Sequence, residues 1–275
     1  MSDHQGGQVA LDSTDGRLVI GTTVAGTAVA MLTATVVNVA LPSLATDLDA
    51  SSSQQQWVIN AYLLTLASLI LIGGSLGDRY GRVRLYRVGV IWFAVASLVC
   101  AVAPTAEILI GARFFQGIGG ALLTPGSLAI IEATLRREDR GRGVGQWSGL
   151  TGIAAAIGPL VGGLLVDISW RWVFVINIPI AIAVIIASYR VPESIDESAR
   201  GTRLDFPGAV LATVALGGVS YVLIQGPSGG WSAPDIAAGV VAVAAGAWLF
   251  IYEPGRDHPM VPLDLFANRW FAAAN

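Results

Sequence analysis

The sequence has 275 residues, of which 54% are hydrophobic and 13% are Asp, Glu, Lys or Arg, with a formal net charge of −3. Soluble domains carry about 25% charged residues, so this chain lacks the means to cover a water-exposed surface. All 16 basic residues are Arg, and the single cysteine, Cys100, lies in an apolar run and excludes an intramolecular disulfide.

The chain opens on a polar, acidic stretch, Met1 to Gly16, without the basic region and short apolar core of a cleaved signal peptide. Eight apolar segments follow: Leu18–Leu41, Trp57–Leu76, Leu85–Ala103, Ile108–Leu135, Val144–Val166, Val173–Tyr189, Leu204–Ile224 and Ile236–Tyr252. Most reach about 18 residues, the length that crosses roughly 30 Å of hydrocarbon. Lipid offers no hydrogen bonds, so each is expected to be a helix and the chain an all-α membrane protein.

The connections alternate in charge. Thr46–Gln56 carries Asp47 and Asp49 but no Arg, whereas the next has Arg79, Arg82, Arg84 and Arg87. Pro104–Glu107 has none, and the one after has Arg136, Arg137, Arg140 and Arg142. Arg171 stands alone in a turn that should be free of Arg. The positive-inside rule then places the N-terminus and the Arg-rich connections in the cytoplasm, in a multi-pass protein of the cell (inner) membrane. The expected organisation is a cytoplasmic tail over 1–17, six helices over 18–190, a polar cytoplasmic linker over 191–203 (PESIDESARGTR at its core), two further helices over 204–252, and a last segment over 253–275. That segment ends in NRWFAAAN, which reads as the start of a ninth, truncated helix. Trp57, Trp172 and Trp231 fit interfacial belt positions.

Three stretches carry chemistry. The loop after the second span reads Gly74-Ser-Leu-Gly-Asp78-Arg79-Tyr-Gly81-Arg82-Val-Arg84. Its glycines permit a tight turn, and Asp78 and Arg82 are four apart, so they can pair if the turn is locally helical. A plain topological anchor explains the arginines equally well but not an acid flanked by glycines. The fourth span holds Arg113, about two turns from Glu107. A charge there costs at least a few kcal/mol unless it faces a wet or paired interior; snorkelling to the outer surface is the alternative. Gln116 shares its face, and Gly117, Gly119 and Gly120 let a neighbouring helix approach.

The fifth span carries Gly149, then Gly158-Pro159-Leu-Val-Gly162-Gly163. Small residues four apart favour helix packing, and Pro159 removes a backbone donor and marks a kink site. In the first span Thr33 and Thr35 can bond their own helix, while Asn38 is the better candidate to line a cavity. Glu132, near the end of the fourth span, either is solvated or reaches Arg79 or Arg82. No metal-ligand cluster is visible, no cofactor is expected, and no nucleophile–base constellation points to an enzyme.

Together these segments resemble the major facilitator superfamily, and more narrowly its fourteen-helix drug:proton antiporter class. Gly74, Leu76, Asp78, Arg79, Gly81 and Arg82 are similar to the family's loop pattern, with Val83 where a basic residue is common. Arg113, Gln116, Gly117 and Gly119 match its fourth-helix signature, and Gly149, Gly158, Pro159, Gly162 and Gly163 its antiporter signature. The resemblance implies a six-helix N-terminal bundle plus an extra two-helix pair. It implies a charge relay of Asp78, Arg82 and Glu132, and a substrate and proton pathway near Arg113, Gln116, Asn38 and Thr33. Thr33 replaces an Asp that the class often has, which weakens the case for a cationic substrate. The function implied is proton-coupled efflux of a drug or other small organic molecule, with protons, substrate, the bilayer and a missing C-terminal half as partners. The alternatives are a non-transporting fragment, one piece of a two-chain assembly, or uptake or export of a metabolite. No nucleic-acid partner is expected.

Overall fold

The computed structural model of the chain describes residues 8–195, 206–229 and 232–252. Among the described residues the order is α1 (Thr14–Asp47), α2 (Ser52–Tyr80), α3 (Arg82–Ala101), α4 (Ala106–Thr134), α5 (Arg140–Val166), α6 (Trp172–Val175), α7 (Asn177–Ser188), α8 (Phe206–Gly229) and α9 (Ala233–Tyr252). The first five are long and apolar enough to cross a membrane, and Trp172–Ser188, Val210–Ile224 and Ala233–Leu249 are shorter apolar helices. The expected tail residues 1–7, most of the 191–203 linker, Trp231 and the start of a ninth helix in 253–275 lie outside the described residues.

The helices run past the apolar blocks because polar residues cap them. The Ser13 hydroxyl accepts from the Gly16 N–H ahead of α1. Ser51 and Gln54 form a capping box that starts α2, and Thr105 accepts from Ile108 N–H at the head of α4. Each satisfies donors that the first helical turn leaves orphaned. The sixth apolar segment is broken at Ile176, between α6 and α7. Pro179 has no N–H to give to the Val175 carbonyl, so the helix is interrupted one turn before it.

The chain divides into two compact units, Met1–Arg200 and Gly201–Asn275. In the first, α4 lies at the centre, packed mainly on α2 and α3, while α1 packs mainly on α5. One apolar cluster (Leu11, Ile20, Tyr86, Ile131, Leu135, Val191) fills the arginine-rich end. A second (Val36, Leu44, Val58, Leu109, Trp170, Phe174) fills the opposite end. In the second unit α8 and α9 pair antiparallel through small residues: an added Cβ on Gly218 would lie 2.6 Å from the Ala242 Cβ, and one on Gly246 3.7 Å from the Ala215 Cβ.

The residues before α1 are built into the first unit. Val9 donates to the Thr134 carbonyl at 2.9 Å and accepts from Arg136 N–H at 3.1 Å. Leu11 donates to Asp139 Oδ2 at 3.0 Å, and its side chain is 2% exposed. At the other end, Arg171 contacts Asp47 at 3.3 Å and Trp170 Nε1 donates to the same carboxylate at 2.9 Å. The one Arg that departs from the alternation of charged loops is therefore offset by an adjacent acid.

Leu11 anchors that N-terminal strap. Leu11→Ala is expected to lower stability by about 2–5 kcal/mol, the usual range for a buried Leu. Thermal unfolding in detergent, with the exposed Leu160→Ala as control, checks it; equal melting temperatures would show the strap to be passive.

Candidate transport core and gating loop

Arg113 enters the middle of the first unit, and its side chain is 1% exposed. It turns inward rather than to a surface. Nε donates to the Val58 carbonyl of α2 at 2.9 Å, and a second nitrogen donates to Gln116 Oε1 at 2.5 Å. The guanidinium lies 4.4 Å from the centre of the Tyr62 ring, a cation–π contact that gains strength where water is excluded. Among the described residues no carboxylate pairs with it. The charge is solvated by neutral dipoles and one aromatic face.

From Gln116 the bonding continues across the bundle. Gln116 Nε2 donates to Ser97 Oγ of α3 at 2.7 Å, and Asn177 Nδ2 of α7 donates to the same oxygen at 3.1 Å. Thr33 Oγ1 of α1 donates to Asn177 Oδ1 at 3.0 Å, and Ser97 passes its own proton to the Phe93 carbonyl at 2.7 Å. One chain of bonds thus joins α1, α2, α3, α4 and α7. Ser97 is the node, because a hydroxyl can accept twice and donate once.

Glycines on α4 make these distances possible. A Cβ on Gly117 would lie 2.7 Å from the Tyr62 carbonyl, and one on Gly119 2.7 Å from the Phe93 amide nitrogen. Their absence lets α2 and α3 reach α4 on two sides, which brings the Val58 carbonyl to Arg113 and Ser97 to Gln116.

Asn38 lies apart from this network. It is exposed and its Nδ2 donates to the Ala34 carbonyl of its own helix at 3.0 Å. In α5, Gly158 and Gly162 pack on α1, where an added Cβ would strike Thr35 Oγ1 and Val36 respectively. Gly149 and Gly163 face open space. Pro159 is exposed within a continuous α5.

The loop after α2 is a single residue, Gly81, with φ +110. That conformation is open to glycine and strained for other residues. It reverses the chain so that Arg82 Nε donates to Asp78 Oδ1 at 2.8 Å and an Arg82 terminal nitrogen contacts the same oxygen at 2.7 Å. The pair is partly exposed, so its direct worth is at most about 1 kcal/mol. Gly74 sits beside Pro125 of α4. Arg79 lies 5.3 Å from the Tyr80 ring centre. Glu132 is exposed, and among the described residues no bond joins it to the Asp78–Arg82 pair.

Two members of the core, Ser97 and Asn177, are weak in the sequence. A serine inside an apolar run is common, and only its neighbours in space distinguish this one. Glu193, which bonds to the start of α3, does not stand out in sequence because it sits among other acids in a polar linker.

Apolar helices of membrane-spanning length, packed around a buried and hydrogen-bonded cation, are the make-up of an integral membrane protein. The Major Facilitator Superfamily model matches residues 23–252, and the chain belongs to that superfamily. It is 40% identical over 252 residues to the methylenomycin A resistance protein of Bacillus subtilis (strain 168), covering 90% of this chain and 54% of that protein. It is 36% identical over 245 residues to the puromycin resistance protein of Streptomyces alboniger, covering 87% of this chain and 48% of that protein. The chain spans about half the length of these curated relatives. Among solved structures it is similar to a peptide transporter in complex with sulfate, with TM-score 0.65 at 14% identity, covering 90% of this chain and 54% of that one. It is also similar to the proton:xylose symporter XylE, with TM-score 0.55 at 16% identity, covering 87% and 54%. These two likenesses establish the fold.

Ser97→Ala removes the acceptor shared by Gln116 and Asn177. The expected loss is about 1–3 kcal/mol, the penalty for stranded buried donors, read as a lower melting temperature in detergent. Ser75→Ala, at an exposed position, should leave it unchanged.

Proposed function

We propose that this chain is the N-terminal half, with the following helix pair, of a proton-coupled exporter of a small organic molecule. The observation that carries the reading is Arg113, a buried cation held by Val58, Gln116 and Tyr62 with no acid beside it among the described residues. A membrane protein keeps such a charge where it serves ion or substrate movement. Relatives of 36–40% identity are named for resistance to methylenomycin A and puromycin and for multidrug resistance, which supports a drug or other organic compound as cargo.

In this reading substrate binds in the bundle beside α1, α2, α4 and α5, between this half and a second six-helix half, and the two halves rock about that site. Proton movement through the complete carrier resets the cycle, and the fixed charge of Arg113 contributes to that coupling. Asp78 and Arg82 belong to the gate, with Glu132 joining them in another state. The open glycines of α5, Gly149 and Gly163, face the second half. The N-terminus and the arginine-rich end lie in the cytoplasm, in the inner membrane.

Proton-driven efflux from vesicles holding the product of the complete gene tests this. Arg113→Ala should reduce transport at least tenfold, and Arg113→Lys should recover little, since an ammonium lacks the planar fork and stacking face that Arg113 presents to Val58, Gln116 and Tyr62. Transport at the native rate in Arg113→Ala would sink the assigned role.

A second reading rests on the chain spanning about half of its relatives: residues 1–275 alone form a half-bundle that does not transport. Expressing residues 1–275 alone and with a downstream half separates the two. Resistance restored only by the pair favours a split or shortened carrier.

A further inference from the structure

The start of α3 is finished by a distant loop. Its cap residue is Gly81, without a side chain, and its first turn holds no acid. A helix leaves its first four amides without internal partners. Here Val83 N–H and Arg84 N–H donate to the two carboxylate oxygens of Glu193, each at 2.9 Å. Arg82 N–H donates to the Ser194 carbonyl at 3.0 Å, and Leu85 N–H to the Gly81 carbonyl at 2.9 Å. Three of the four orphans are therefore met by two consecutive residues that follow α7.

The fit is close. A Cβ on Gly81 would lie 3.0 Å from the Glu193 carboxyl carbon, so a side chain there would press on the carboxylate, and the φ of +110 itself favours glycine. Below the carboxylate, Arg87 donates to Ser188 Oγ at 3.1 Å and to the Ser188 carbonyl at 3.0 Å, and it stacks 4.5 Å from the Tyr189 ring centre. The end of the sixth apolar segment is thus fastened to α3 along its first two turns.

Glu193 also answers an electrostatic need. The N-terminus of a helix carries a partial positive charge, and α3 adds Arg82 and Arg84 to it. A carboxylate on the open amides offsets both. Because Arg82 is the first residue of α3, the position from which it reaches Asp78 depends on how that turn is held.

We propose that Glu193 is a positioning residue for the Asp78–Arg82 gate. It acts as the missing N-terminal cap of α3 and ties the gate to the segment that leaves the sixth span. Movement of that segment is then transmitted to the loop after α2 through the carboxylate. The effect on transport rests on the exporter reading; the clasp itself does not.

Two measurements on the complete protein decide it. Hydrogen exchange of the peptide covering residues 77–87 should speed up by about tenfold in Glu193→Ala, with exchange elsewhere in the first unit unchanged. Glu193→Gln keeps the size and one acceptor oxygen and should fall between. Unchanged exchange at 77–87 overturns the clasp. In vesicles, Asp78→Asn should lower turnover several-fold in the native background and have no further effect on top of Glu193→Ala, with the substrate KM within twofold throughout. Losses that multiply, or a KM that rises with them, overturn the positioning role and leave Glu193 as a structural cap. If the native protein moves no substrate, the exporter reading fails, and the exchange result still decides the clasp.

Discussion

A guanidinium inside a bilayer must be solvated by the protein, and the first unit is arranged around meeting that demand. Arg113 cannot be left to lipid, because an unpaired charge at that depth costs several kcal/mol or more. It is supplied with a backbone carbonyl, an amide oxygen and an aromatic face. Two of the three, the Val58 carbonyl and the Tyr62 ring, come from α2, which must approach α4 closely to supply them. The glycines at 117 and 119 make room for α2 and α3 on two sides of α4. Because the surrounding groups are neutral, the site retains a net positive charge. Such a site can bind or release an anion, or feel a neighbouring proton, more readily than a neutralised ion pair could.

The arginine-rich end is organised differently. There the contacts are surface ion pairs and carboxylates on backbone amides: Asp78 with Arg82, Glu193 with the start of α3, and Asp139 with Leu11. Asp78, Arg82 and Glu193 are at least partly open to water. Such bonds can be exchanged as a carrier changes state, whereas the Arg113 network, sealed by the helices around it, suits a part that moves as one body. The proposed rocking of two halves would need such a division, with the interior of each half kept and its margins remade.

Most of the fold is legible in the sequence because lipid is a severe solvent. A run of about 20 apolar residues has one spanning conformation open to it, and α1 to α5 appear where such runs occur. The ends of the helices are less legible, since Ser13, Ser51 and Thr105 extend them with polar residues that hydropathy does not count. The interruption at Ile176 follows from Pro179 but is hidden by the uninterrupted apolar character around it. In the site, Arg113 and Gln116 stand out because a charge in an apolar run is rare. Ser97 and Asn177 do not, because their importance lies in the Ser97 hydroxyl oxygen accepting from Gln116 at 2.7 Å and from Asn177 at 3.1 Å, a relation between helices that no single helix encodes. Glu193 is one acid among several in a polar stretch until α3 is seen to lack a cap. Asn38 shows the converse: a conspicuous polar residue whose amide simply returns to its own backbone.

The strand-like contact of Val9 with Thr134 and Arg136 bears on how the half is assembled in time. Leu11 and its partner Asp139 are 128 residues apart, so the segment leading into α1 leaves the ribosome long before its partners exist. Until α4 has been inserted and the turn into α5 has emerged, the Leu11 side chain and the Val9 amide have no native place to go. The N-terminal segment therefore works as a late latch: the first residues made are among the last to be satisfied. Closure of that latch marks the point in synthesis at which helices α1 to α4 have taken their places.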